Sequence, residues 1–339
     1  VYKRKQSNSN NYITEGYFIR GQYDYNQRYF FTGSFRRDAS SRFPTENRWG
    51  NFWSIGGAWL ISNEAFLNVP WIDMLKFKLN YGQQGNDAIG NFRYVSTYTV
   101  SDVGGEPAAN FMNIGNRDIT WETNANFNTG IEFELFDRRL SGSIEYYNRT
   151  TLDLLFQRPV PESAGYRTYW ANIGDMRNHG VEIDLRGTVV RRKDLNVTLF
   201  ANFTSNTSKI LKLPVERITE DDFGRKLNGF DSDGYWYGEG DPLYTWYMQK
   251  YAGVNEKGQS MWYVDKKDTN GNIYTTTTTA YTEASKYKCE TALPKGYGGF
   301  GTSIYFKGID FSISFYYQIG GLVYDSGYAS LMSPFSDKT

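Results

Sequence analysis

The chain of 339 residues holds a single cysteine, Cys289, and a single histidine, His179. One thiol excludes an internal disulfide, a CxxC motif and a thiolate cluster. One imidazole leaves catalytic triads and histidine-based zinc sites without material. His179, followed by Gly180 where a strand pattern begins, reads as a structural residue, and Cys289, beside Lys286 and Lys288 in a polar loop, as an inert one. No run of about 18 apolar residues is present, so no helix is expected to span a bilayer. The basic opening stretch VYKRKQSNSNN leads into no apolar signal core. Net charge is missing too: 37 Lys+Arg balance 37 Asp+Glu, which selects no nucleic acid and no anionic surface as partner. No cofactor is expected.

What the chain does have is aromatics and glycine with little proline: 28 Tyr, 23 Phe and 9 Trp beside 34 Gly and 9 Pro. Yet the mean hydropathy is only -0.60. Half-oily, half-polar strands would reconcile these numbers, because alternate side chains of a strand point to opposite faces. The stretch YFFTGSFRRDASSRF, residues 29–43, divides this way into Tyr29, Phe31, Gly33 and Phe35 against Thr32, Ser34, Arg36 and Asp38. Upstream, Tyr17, Ile19, Tyr23 and Tyr25 oppose Arg20, Gln22 and Asp24, with a hairpin-length turn at residues 26–28.

The same pattern recurs in segments around Trp53–Ile61, Leu75–Tyr81, Ala125–Leu135, Leu140–Arg149, Val181–Val189, Leu195–Thr204, Phe300–Phe306 and Phe311–Ile319. These make roughly ten strands of about 9–11 residues, the length of a tilted membrane strand. Short links (26–28, 137–139, 191–194, 307–309) alternate with long ones (39–50, 85–123, 151–180, 207–295), and 62–73 falls on the short side. Short turns at one end and long loops at the other follow the rules of outer-membrane barrels. The expected fold is therefore all-β, an antiparallel transmembrane β-barrel. One face would meet outer-membrane lipid; the other, with Arg20, Arg36, Asp38, Glu132, Glu134, Arg149 and Arg186, would line a wet lumen. Tyr25, Tyr29, Trp59 and Phe136 would sit in interfacial girdles. A soluble glycan-binding β-sandwich also alternates, and a passive porin shares every wall feature.

Several segments together resemble one family. They run from GYFIRGQYDY to SNEAFL, then through WIDMLKFKLNYGQQGN, TTLDLLFQRPVPESAGYRTYWANIGDMRNHGVEIDL, YGEGDPLYTWYMQKYAGVNEKGQSMW and LPKGYGGFGTSIYFKGIDFSISFYYQIGGLVYDS. They resemble the barrel of SusC/RagA-type TonB-dependent transporters of Bacteroidetes. The resemblance implies about half of a barrel of roughly 22 strands, so that residues 1–339 would be one partial barrel domain of a longer polypeptide. It further implies an N-terminal plug contacted by TonB, a SusD-like lipoprotein lid, and import of oligosaccharides or peptides. The terminal SPFSDKT reads as a loop.

Catalysis is not expected. The carboxylates Glu132, Glu134, Glu145, Glu182 and Asp184 read as a solvated wall balanced by Arg149 and Arg186 rather than a glycosidase pair. Asp231, Asp233, Glu239 and Asp241 match a calcium loop in part, but Pro242 stands where the bidentate Glu belongs. The sequons at Asn148, Asn196, Asn202 and Asn206 read as chance, and the threonine run 275–279 as an exposed hairpin. Loop aromatics are the better ligand candidates, since rings stack on sugars and their polar tips hydrogen-bond: Tyr166, Tyr169, Trp170, Trp236, Tyr237, Tyr244 and Trp246, with Tyr235, Tyr247, Trp262 and Tyr263 nearby. Packing of the loops is the alternative role.

Overall fold

A computed structural model describes residues 11–160, 163, 166, 168–214, 219–221, 223–224 and 226–331. The terminal SPFSDKT lies outside them, as do residues 1–10. The chain opens with β1 (Thr14–Tyr25), β2 (Tyr29–Ser40), β3 (Trp49–Leu60) and β4 (Ile72–Asn86), followed by a loop hairpin of β5 (Thr97–Val103) and β6 (Glu106–Asn113). Next come β7 (Glu122–Leu135) and β8 (Leu140–Leu152), a hairpin of β9 (Leu155–Pro159) and β10 (Thr168–Asn172), and the long pair β11 (Asp175–Arg191) and β12 (Leu195–Lys212). The largest loop holds β13 (Gly229–Ser232), β14 (Tyr235–Gly238), β15 (Thr245–Gln249), β16 (Tyr251–Val254), β17 (Ser260–Lys267), β18 (Ile273–Thr278) and β19 (Lys286–Thr291). β20 (Gly296–Phe306), β21 (Ile309–Ile319) and a short helix, Ser326–Leu331, complete it.

Ten strands form one antiparallel sheet in the order β1-β2-β3-β4-β7-β8-β11-β12-β20-β21. All ten were anticipated by alternation. Their chain neighbours pair directly, so every short link lies at one end and every long loop at the other. At the turn end, Asn26 (φ 53) and Gln27 (φ 52) occupy the left-handed region, which fits the turn to the right-handed twist of its strands. Lys307 (φ 46) and Gly308 (φ 90) do the same between β20 and β21; Ile309 belongs to the strand.

Directly paired residues share a face, so the register sorts the wall into rows. One outward row runs Ile131, Ile144, Ile183, Phe203, Gly298, Tyr317. The adjacent inward row runs Phe30, Ala58, Lys78, Gly130, Glu145, Glu182, Thr204, Tyr297, Gln318. Large outward side chains stay bare: Ile19, Phe31, Ile55, Ile131, Leu199 and Phe315 are all exposed. In water that would be a large apolar patch; in lipid it is the matched surface. The girdle candidates join in ring contacts at the turn end: Tyr25 with Tyr29, Tyr29 stacked on Trp59, and Phe136 stacked on Trp71. Glu64 accepts hydrogen bonds from Tyr29 Oη (2.6 Å) and Trp59 Nε1 (3.0 Å) and pairs with Arg28. These bonds, Tyr29's first, hold the Glu64 carboxyl below the usual range.

One expectation needs correction. The wall strands run 11–18 residues, because β11 begins at Asp175 rather than Val181 and β12 continues to Lys212. Their loop-side extensions carry mostly polar residues, with apolar exceptions such as Met176 and Ile210, so alternation vanishes while the ladder of hydrogen bonds persists. The loops carry secondary structure of their own: β13-β14-β15-β19 form one sheet and β16-β17-β18 another, and the threonine run lies in the expected hairpin, as β18 against β17.

Candidate functional site

The inward face brings Arg20, Arg36, Asp38, Glu132, Glu134, Arg149 and Arg186 onto one surface by register. Its ionic centre differs from expectation. Lys78 Nζ lies 2.6 Å from Glu132 Oε1 and 2.8 Å from Glu145 Oε1, and Lys76 stands 3.9 Å from Glu132 Oε2. Glu145 is two strands away, and Lys78 reaches it across Gly130, which lies between them in the row. A Cβ at Gly130 would come 2.6 Å from the Ile144 carbonyl and 2.7 Å from Glu145 Cγ. Lys78 is therefore the counter-ion that Arg149 and Arg186 were expected to be. Arg149 lies instead over the Tyr147 ring, 5.0 Å from its centroid, and among the described residues Arg186 makes no ion pair. Glu134 pairs with Arg138 (3.1 Å).

Towards the loop end the inward face bounds a cleft of about 810 Å³ lined by Arg36, Asp38, Asn80, Gln84, Asn126 and Asn128, with Tyr12 and Trp121 at its loop side. Side-chain amides present donors and acceptors together, so such a wall can hydrogen-bond hydroxyls or peptide groups equally well. Arg36 Nε donates to Asp38 Oδ1 at 2.7 Å and keeps both groups on the inward surface. Above them, Asp87 accepts from Ser40 Oγ (2.6 Å) and Tyr12 Oη (2.8 Å) and faces Arg42 at 3.6 Å, whose guanidinium lies 4.2 Å from the Tyr12 ring centroid. Burial first, and the bond to Asp87 second, raise the Tyr12 phenol above its usual value. Sequence reasoning put Arg36 and Asp38 among the lumen-lining residues and set Asn80, Asn126 and Asn128 on the polar face of their strands, but did not single out these amides as lining the cleft.

The loop aromatics separate into packed and open. Trp236 is 1% exposed, donates Nε1–H to Asp241 (2.8 Å) and meets the Tyr247 ring at 5.1 Å, so it is core and unavailable to ligand. Trp170 packs on the cluster of Phe43, Ile89 and Ile119 that ties three loops together. Trp246 donates Nε1–H to the Leu322 carbonyl and packs on Tyr235 at 4.3 Å. Tyr244 is exposed, Tyr169 lies under Arg158, and Tyr166 is half-buried. Tyr237 stacks on Phe230 and lines a second, apolar cavity of about 370 Å³ with Phe156, Met176, Ile210 and Leu243. Burial raises its phenol above the usual value.

The partial calcium pattern does not converge. Asp231 pairs with Lys286 (2.7 Å) and Asp241 with Lys288 (2.6 Å), Glu239 accepts from the Leu213 amide, and Asp233 accepts from Ser232. Those lysines, expected beside Cys289, are thus committed to carboxylates. Cys289 is exposed on β19, and His179 lies on β11 on the outward face, opposite Asn148 and Thr207.

Comparison with known proteins agrees with this geometry. The family described as "TonB dependent receptor-like, beta-barrel" matches residues 1–319. TonB-dependent receptor P39 of Formosa agariphila is 35% identical over 248 residues, 72% of this chain and 22% of that protein. TonB-dependent receptor SusC of Bacteroides thetaiotaomicron is 33% identical over 207 residues, 58% of this chain and 21% of that protein. Among solved structures, the RagAB peptide importer in its closed-closed state aligns with a TM-score of 0.81 at 32% identity, covering 91% of this chain and 34% of that one. The chain thus spans about a fifth to a third of the length of these relatives.

Proposed function

The chain belongs to the TonB-dependent receptor β-barrel family, on its SusC/RagA branch, and from that premise we propose that it forms part of the wall of an outer-membrane nutrient importer. The observation that carries this reading is the two-faced sheet: apolar outward rows for lipid, an ionic and amide-rich inward face for a wet lumen. Residues 1–339 act as one partial barrel unit, with loops 85–123, 151–180 and 207–295 on the extracellular side. The cargo is an oligosaccharide or a peptide, hydrogen-bonded by the cleft around Arg36, Asp38, Asn126 and Asn128 and approached by Tyr169, Tyr237 and Tyr244. A SusD-like lipoprotein closes the loop end, and TonB supplies coupling through a plug segment outside these residues. The protein carries cargo without transforming it.

The test is uptake of labelled oligosaccharides and peptides by cells expressing the full-length receptor, with and without a protonophore. Uptake that stops with the protonophore supports coupled import. Uptake that continues unchanged, with size-limited ion conductance in planar bilayers, would make the protein a passive porin.

A further inference from the structure

Apart from Asp73, held in the bulge between Ile72 and Met74 at the turn end, the outward rows carry no charge until their loop-side ends. There stand Glu15 and Arg37 on β1 and β2, and Arg177 and Lys209 on β11 and β12. Arg37 is occupied: it lies over the Trp49 ring at 5.0 Å, and Trp49 stacks on Tyr17, whose hydroxyl donates to Glu15. Arg177 and Lys209 are different. They are direct cross-strand partners, four residues beyond Val181 and Ser205 and one row above His179 and Thr207. Among the described residues no carboxylate pairs with either. Arg177 Nε and His179 Nδ1 are buried without a hydrogen-bond partner. The outward neighbours on β8 are Asn148 and Thr150, neutral and polar. The turn at Gly240 is near, since a Cβ placed on Gly240 would lie 3.9 Å from Lys209 Cε, but its carboxylates are engaged, Glu239 by the Leu213 amide and Asp241 by Lys288 and Trp236.

Two unpaired cations on the lipid side of a barrel, just beyond the apolar band and with no counter-charge, call for an anion supplied by the membrane. A guanidinium and an ammonium on adjacent strands match a phosphate, which accepts a fork from one and a point charge from the other. The position of the pair favours a lipid of the outer leaflet: it stands at the loop end, the extracellular side on the importer reading, on two adjacent strands, whereas at the turn end the outward cation Lys307 stands singly over the Phe306 ring, 5.5 Å from its centroid. We propose that Arg177 and Lys209, with His179 and Thr150 beside them, form a docking site for the phosphorylated headgroup of an outer-leaflet glycolipid. The site fixes the rotational position of β11 and β12 in the membrane and lies on the opposite face of the wall from the transport cleft.

This inference rests on the outer-membrane reading, and the experiment separates the two. The full-length receptor is placed in lipid nanodiscs of phosphatidylethanolamine, and native mass spectrometry follows binding of lipid A carrying its phosphates, the same lipid after phosphatase treatment, and inorganic phosphate. The expected result is selective retention of the phosphorylated lipid, with the R177Q/K209Q double variant losing roughly tenfold or more of that retention. R177K/K209R, which keeps both charges, should retain most of it, guarding against simple misfolding. Equal retention of phosphorylated and dephosphorylated lipid, unchanged retention by R177Q/K209Q, or binding of free phosphate alone would overturn the site while leaving the importer reading intact. Failure of the wild-type receptor to enter nanodiscs at all would overturn both.

Discussion

The ten-strand wall and the loop cap bury apolar side chains in opposite ways. In the cap, Phe43, Ile119 and Trp236 are almost wholly buried in small ordinary cores, excluded from water by neighbouring loops. In the wall, residues of the same kind, such as Ile55, Phe300 and Phe315, stand exposed on one face; Phe300 and Phe315 stack on each other within the sheet yet each stays about half exposed. A chain that builds proper cores in its loops yet leaves its main sheet bare is folded for two solvents. The wall's stability depends on lipid outside and ions inside, whereas the cap's depends on packing.

Replacing Trp236 with Ala should have the largest effect, about 3–5 kcal/mol by analogy with other buried aromatics, but confined to the cap. Limited proteolysis should cut within 207–295 while the wall keeps its compact, heat-modifiable migration on gels. Next, Ile183→Arg places a charge on the outward face and should cost the wall about 2–4 kcal/mol in detergent-to-bilayer folding titrations. Thr204→Arg, inward and beside Glu182 in its row, should change stability by no more than about 0.5 kcal/mol in the same titration. If the two arginines behave alike, the two-solvent account of the wall is wrong.

Smaller still, Lys78→Met removes the shared counter-ion of Glu132 and Glu145 and should cost about 1 kcal/mol, since these are partly solvated pairs. The loss should shrink in high salt. Gly130→Val should give a similar or greater loss by blocking the reach between strands. Finally, burial and then the bond to Asp265 push Tyr287 in the cap up to about 12. The folded state thus prefers the neutral phenol: its contribution is complete below the ordinary tyrosine value near 10 and is lost as pH rises through about 12. Ultraviolet difference titration against Tyr287→Phe should show one phenol ionising late; ionisation near 10 would deny that bond its strength.

The same contrast explains what could be read from the sequence. Alternation is the direct imprint of a boundary between two solvents, so all ten wall strands, their facing and the long-loop end were legible. The family segments added the scale of the barrel. Where the boundary ends, the imprint ends: Met176 to Gly180 and Ser205 to Lys212 continue as strands, but polar residues fall on both their faces and the few apolar ones, Met176 and Ile210 among them, keep no alternation. The cap has no such period, so of its eleven short strands among the described residues only the hairpin at the threonine run was legible, and Trp236 resembled Tyr244 although one is core and the other open. Lys78 was visible on the polar side of its strand. Its partnership with Glu145 was not, because it depends on the register of three strands and a glycine far along the chain.

The central claim, that one face of the wall meets lipid and the other water, is tested most directly by spin-label accessibility. In a Cys289→Ser background of the full-length receptor in bilayers, labels are placed at Ile183 and Phe203, outward, and at Glu182 and Thr204, inward. The account predicts that dissolved oxygen relaxes the first pair strongly and a water-soluble nickel chelate the second. Nickel access at all four positions would mean that both faces are wet, and the barrel reading of this sheet would have to be abandoned.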